Sequence, residues 1–186
     1  MNFDKVIDSR RSIRSFKTKK VKYSKVLEAI DAARKAPTAG NTPTLVYIII
    51  ENPQLKDKIA ELSDQHWIAD AGIIVLVCSD DHALESIYFD RGKTYARQQA
   101  GAAIQNFLLK ITDLSLSSCW VGSFSDKLIK QIVGIPNHIQ LEAILPVGYA
   151  AEKPRFPKKG SLEKSLYWEK WFIRKRPTPF KDPPTK

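Results

Sequence analysis

A chain of 186 residues that is 43% hydrophobic holds enough apolar side chains for one compact domain with a substantial core, which excludes an intrinsically disordered protein. The longest apolar run, Ile73 to Cys78, is far too short to span a bilayer, no signal peptide precedes the charged start, and Cys78 and Cys119 lack a CxxC partner; a soluble, cytoplasmic, reduced protein is expected. The net charge of +10 sits at the two ends: residues 1–35 carry 11 basic and 4 acidic groups and 153–186 carry 11 and 3, whereas 36–152 carry 8 and 13. No helix-turn-helix, zinc-finger or RNP-like pattern accompanies that charge, so two basic segments converging on a small phosphorylated ligand fit it at least as well as nucleic acid.

In chain order, residues 2–9 and 24–35 read as helices, the second with Val26, Leu27, Ile30 and Ala33 at helical spacing. APTAGNTPT, residues 36–44, is a loop rich in Pro, Gly and Asn. An apolar β-branched strand follows at 45–50, and Pro53 opens a helix to about residue 65. A buried strand is predicted at 72–79, and the longest helix at 94–114, with Ala96, Ala100, Ala103, Phe107, Ile111 and Leu114 on one face. Short strands at 117–121 and 141–149 bracket a helix near 126–133. Six of the eleven prolines lie between Pro154 and Pro184, so the tail is irregular apart from a possible helix at 161–172, whose Tyr167, Trp168 and Trp171 need a surface to cover.

The segment with the strongest chemistry is DSRRSIRSF at 8–16. Arg10, Arg11 and Arg14 offer bidentate guanidinium donors, Ser12 adds a hydroxyl, and Ile13 and Phe16 alternate with them as anchors. The pattern suits a phosphate; a solvated charge run is the competing reading. Other motifs are weaker. Gly92-Lys93-Thr94 resembles the end of a P-loop, but the required first glycine falls at Ile87, and a helix start is expected. No GxGxxG follows a strand. His66, His82 and His138 show no ligand spacing relative to one another or to the cysteines, so no metal site is expected. Cys119 reads as a small buried thiol.

Taken together, RRSIRSF, APTAGN before a strand, a long helix ending in QNFLLKITDLSLSSCWVGSF, and LPVGYAAEKPR resemble, in order and spacing from about residue 3 to Trp171, the FMN-dependent nitroreductase family. The resemblance implies an α+β fold, a nitroreductase-like central β-sheet flanked by helices, in an interlocked homodimer with FMN at the subunit interface. It implies a domain over 1–172 followed by a basic, Pro-rich tail at 173–186. Matched position by position, Arg10, Arg11, Ser12 and Arg14 would bind the FMN phosphate and ribityl chain. Pro37, Thr38, Ala39, Gly40 and Asn41 match the loop that the partner subunit lays against the flavin. Trp120, Val121 and Gly122 match the segment whose backbone approaches the ring, and Lys158 and Lys159 fall where a basic residue returns to the phosphate. Relatives commonly read N-x-Q-P-W after the loop, whereas this chain has Asn41-Thr42-Pro43-Thr44-Leu45. The implied activity is reduction of FMN by NADH or NADPH and transfer of electrons to nitroaromatic, quinone or similar small-molecule acceptors. Dehalogenation, flavin fragmentation or azoline oxidation on the same fold, and anion or nucleic-acid binding without redox chemistry, are the alternatives. No catalytic side chain is assigned, because the cofactor carries the reaction.

Overall fold

The structure is a computed structural model that describes residues 1–154, 156 and 160–175. Two compact units divide the chain, Met1–Pro154 and Arg155–Lys186. In the first, helices α1 (Phe3–Ser9), α2 (Tyr23–Arg34) and α3 (Pro53–Leu62) alternate with strands β1 (Leu45–Ile50) and β2 (Ile73–Ser79). Then come α4 (His82–Tyr88), α5 (Asp90–Asp113), β3 (Ser117–Ser118), α6 (Asp126–Val133) and β4 (Gln140–Gly148). Local chemistry sets several boundaries. Asn2 and Asn52 accept the backbone N–H of Lys5 and Leu55 as N-caps of α1 and α3, with Pro53 in the first turn of α3, and Gly134 ends α6 in the left-handed conformation.

The four strands form an antiparallel sheet in the order β1-β2-β4-β3. Every residue of β2 is buried, because side chains alternate between two covered faces. Ile73, Val75 and Val77 meet Val26, Ala29 and Ala33 of α2 and Ala103, Phe107 and Ile111 of α5. Ile74, Leu76 and Cys78 face Ile59 of α3 and Ile129 of α6. The sheet is thus sandwiched between two helical layers, as the apolar stripe expected along the longest helix requires.

Two irregularities in β4 shape the edges of the functional surface. Val77 pairs with Ala143 and Cys78 with Leu141, which leaves Glu142 as the extra residue of a bulge that re-aims its side chain. On the other edge, Ile144 exchanges both backbone hydrogen bonds with Val121 at 3.0 Å, so Pro146, two residues on, faces the same neighbour. Proline has no N–H to donate there, and between Ser118↔Val147 and Val121↔Ile144 the pairing skips Cys119, opposite Pro146, and Trp120, opposite Leu145. The predicted strand at 117–121 is therefore reduced to Ser117–Ser118 and an isolated bridge at Val121.

The long helix begins earlier than expected, at Asp90, after the short α4 that the sequence pattern did not show. Phe89, at φ 52°, turns the chain between them. Gly92 lies inside the first turn of α5, pressed so closely on α4 that a Cβ would stand 2.5 Å from the Glu85 nitrogen. In the second unit the expected helix at 161–172 is only a 3₁₀ turn at Leu162–Ser165, because Glu169 and Phe172 adopt positive φ, of 56° and 72°. There Tyr167 packs on Trp171 with ring centroids 4.5 Å apart and carries the Arg174 guanidinium over its face.

Candidate functional site

Residues 10–16 are held as an extended ribbon along the sheet edge. The Ile13 N–H donates to the Ser118 carbonyl at 3.1 Å, Lys17 N–H to Tyr149 O at 2.8 Å and Ala151 N–H to Ser15 O at 2.9 Å. Ile13 and Phe16 are buried beside Ala71 and Trp67, and Ser12, Arg14 and Ser15 between and beside them are exposed. Arg10 and Arg11 are half-buried, and Arg11 Nη1 donates to the Arg10 carbonyl at 2.6 Å. Glu152 reaches the ribbon through the Arg14 backbone N–H, at 2.6 Å. Among the described residues no carboxylate lies within ion-pair distance of the Arg10 or Arg14 guanidinium.

This ribbon lies against the irregular stretch after β3. Burial pushes the Cys119 thiol up, while Arg14, a hydrogen bond from Ser12 and Arg10 pull the other way. Burial, with the Glu142 carboxylate adding to it, pushes the Cys78 thiol up to about 11, and neither thiol is poised as a nucleophile. With the ladder interrupted opposite Pro146, the Trp120 ring is 42% exposed, and it turns toward α5: a Cβ on Gly101 would stand 3.8 Å from its Cη2. At Gly122 a Cβ would meet nothing within 4 Å, so the chain is open on that side of this position. The half-buried Arg10 and the exposed Arg14, whose guanidinium groups have no carboxylate within ion-pair distance among the described residues, offer donors that suit a phosphate.

The loop at 37–41 belongs to a different place. Its tip is a 3₁₀ turn over Ala39–Asn41 in which Gly40 has φ 56° and Asn41 φ 55°; a Cβ on Gly40 would stand 2.6 Å from the Tyr88 hydroxyl. Gln99, 4% exposed on α5, fastens it by accepting from Ala39 N–H at 3.2 Å and donating to Thr44 Oγ1 at 2.5 Å. A cleft of about 400 Å³ lined by Thr38, Asn41, Pro43, Tyr47 and Gln99 opens beside it, and burial raises the Tyr47 phenol to about 12. Gln99 and Gly101 are two positions apart on a helix of about 3.6 residues per turn, hence on nearly opposite faces. Within one chain α5 therefore stands between the loop and Trp120. Lys158 and Lys159 lie outside the described residues.

Gln99 and Tyr88 were not singled out from the sequence. Gln99 left one legible signal, a polar residue bordering the apolar stripe of Ala96, Ala100 and Ala103. Tyr88 left none, since it acts from the unforeseen α4.

The sequence pattern of the Nitroreductase family matches residues 7–70 and 59–149 of the chain. A Methanothermobacter thermautotrophicus protein, named provisionally as an NADH dehydrogenase/NAD(P)H nitroreductase, is 30% identical over 159 residues, covering 83% of this chain and 80% of that protein. The FMN reductase [NAD(P)H] of Bacillus subtilis is 25% identical over 182 residues, covering 88% and 73%. Among solved structures, a nitroreductase family protein from Clostridium novyi NT superposes with a TM-score of 0.74 at 25% identity over 93% of this chain and 96% of that one. The ribbon at 10–16, the open edge at 120–122 and the loop at 37–41 lie on a fold and within a sequence pattern that agree: the chain belongs to the nitroreductase family.

Proposed function

We propose that this protein uses FMN to carry reducing equivalents from NAD(P)H to small oxidised acceptors of the nitroaromatic or quinone kind. As a nitroreductase-family member it is an FMN-dependent NAD(P)H oxidoreductase, and the acceptor is the part of the reading that goes beyond the family. The observation that carries it is the ribbon bonded to Ser118, which sets Ser12 beside the start of the 119–122 segment, with no carboxylate at the Arg10 or Arg14 guanidinium among the described residues.

Arg10, Arg11, Ser12 and Arg14 would hold the phosphate and ribityl chain, and the backbone of Trp120, Val121 and Gly122 would border the ring. The 37–41 loop of a second copy would close the site, because α5 separates that loop from Trp120 within one chain. When bound, FMN supplies hydride acceptance and onward electron transfer. The side chains would bind and orient: guanidinium groups stay charged at every working pH, and the basic residues of the site, Arg14 among them, are candidates to offset the negative charge of a reduced flavin. Thr42-Pro43-Thr44-Leu45, in place of the usual glutamine and tryptophan, lines the acceptor side differently from relatives.

Absorbance of the purified protein tests the reading, followed by identification of any released flavin and anaerobic titration with NADH or NADPH and then with a nitroaromatic and a quinone. The expected result is a yellow protein that releases FMN, bleaches with reduced nicotinamide and regains colour with either acceptor. Colourless protein that does not take up added FMN but binds DNA in a salt-sensitive way would sink it.

A further inference from the structure

We propose that Asp80, His82 and His138 form a binding site for a divalent first-row transition metal, made of side chains that the flavin reading does not use. One ligand atom from each of the three side chains lies within 4.8 Å of the other two, a juxtaposition their positions in the sequence do not reveal.

The fold makes the juxtaposition. Ser79, the last residue of β2, pairs with Gln140, the first of β4, so the residues that leave β2 and those that lead into β4 flank the same end of one ladder. Asp80 is pinned there by its backbone N–H, which donates to the Thr44 carbonyl at 3.0 Å. His82 opens α4 with Nδ1 3.3 Å from Asp80 Oδ1. His138 enters from the connection between α6 and β4, its ring 5.3 Å from that of His82, centroid to centroid, at an interplanar angle of 22°.

Donors around a tetrahedral ion with bonds of about 2.0–2.2 Å are about 3.3–3.6 Å apart. The observed spread exceeds this by about an ångström, a gap that rotation of exposed side chains can close; His82 is 68% exposed and His138 is exposed. Asp81, the next carboxylate, is held by Arg97 Nη2 at 2.5 Å and does not compete for the role. Two imidazoles with one carboxylate select Zn²⁺, Co²⁺ or Ni²⁺ over Mg²⁺ and Ca²⁺, which prefer oxygen donors. Three protein ligands leave a coordination position for water. An ion there would clip the β2–α4 junction to the segment that leads into β4. The competing account is a stacked imidazole pair beside a carboxylate, which has no metal affinity.

The test uses the full-length, flavin-loaded, tag-free protein, stripped of metal and titrated with Co²⁺ by visible absorption and with Zn²⁺ by competition against a chromophoric chelator. A single saturable equivalent per chain is expected, unaffected by Mg²⁺. Asp80→Asn, His82→Gln and His138→Gln should each weaken it about 100-fold or more, since even groups that merely orient a metal ligand cost 10–100-fold. Zn²⁺ should raise the melting temperature of the wild type and not of these variants, and His66→Gln, elsewhere on the surface, should behave as wild type. The lack of saturable binding, or three variants that titrate like His66→Gln, overturns the site. Retained flavin absorbance in each variant reports that it has folded.

Discussion

At the scale of single residues, the arginines divide by what surrounds them rather than by charge. Arg97 is paired: its Nη2 lies 2.5 Å from Asp81 and 2.7 Å from Glu142, and the Ser79 hydroxyl is within hydrogen-bond distance of both carboxylates. Arg10 and Arg14 have no such partners among the described residues, which is the arrangement expected of groups kept for an exogenous anion. Truncating either to alanine should weaken FMN binding roughly ten- to hundredfold, the loss of one charge-assisted hydrogen bond of about 1.5–3 kcal/mol. Riboflavin, lacking the phosphate, should bind the wild type poorly and barely notice the substitution. A Lys19/Lys20 double alanine variant is the control of like charge. Titration of both flavins into each apoprotein decides it, and equal losses in all variants would show that only diffuse positive potential acts.

At the scale of elements, two local devices carry testable cost. The turn at Ala39–Asn41 needs glycine at position 40, because φ 56° strains any residue with a Cβ by roughly 1–2 kcal/mol and the Tyr88 hydroxyl occupies the space. Gly40→Ala should therefore destabilise the fold in denaturant titrations by more than that in the wild type, and by the backbone strain alone in a Tyr88→Phe background; equal costs in both backgrounds would show that Tyr88 does not press on the turn. The second device is the bulge in β4 that turns Glu142 onto Arg97. Burial raises the Glu142 pKa despite Ser79 and Arg97, so the folded state holds this proton more tightly than the unfolded chain. Its contribution to stability is complete below the unfolded value of about 4.5 and is lost as pH rises through the folded one. Arg97→Ala leaves Glu142 and Asp81 facing each other without their cation and should cost about 2–3 kcal/mol near neutrality, less than the roughly 3–5 kcal/mol of a broken buried pair because Arg97 is 40% exposed. That deficit should shrink as the pH of the unfolding experiment is lowered and Glu142 takes up its proton. A deficit independent of pH would assign it to lost packing.

At the scale of the whole molecule, α5 is the element on which the expected assembly turns. It separates the loop held by Gln99 from the Trp120 ring near Gly101, so residues matched to one flavin site cannot all serve the same site within one chain. Native mass measurement should find a homodimer with stoichiometric FMN, and removing the flavin should lower the melting temperature, since a ligand bound only by the native state stabilises it by mass action. A flavin-loaded monomer would overturn this. The sequence by itself determined the elements with strong periodicity: the stripe from Ala96 to Ile111 placed one long helix, and the unbroken apolar run at 73–78 placed a strand covered on both faces. These follow from local patterns that repeat at 3.6 or 2 residues and need no knowledge of distant partners. Tertiary structure alone decided the rest. Pro146 interrupts a ladder only because Cys119 is opposite it, Gln99 is a fastener only because Ala39 and Thr44 arrive beside it, and His138 meets Asp80 and His82 only because Ser79 pairs with Gln140. Each joins residues far apart in the chain, and such contacts are set by strand register and packing, which no local period encodes.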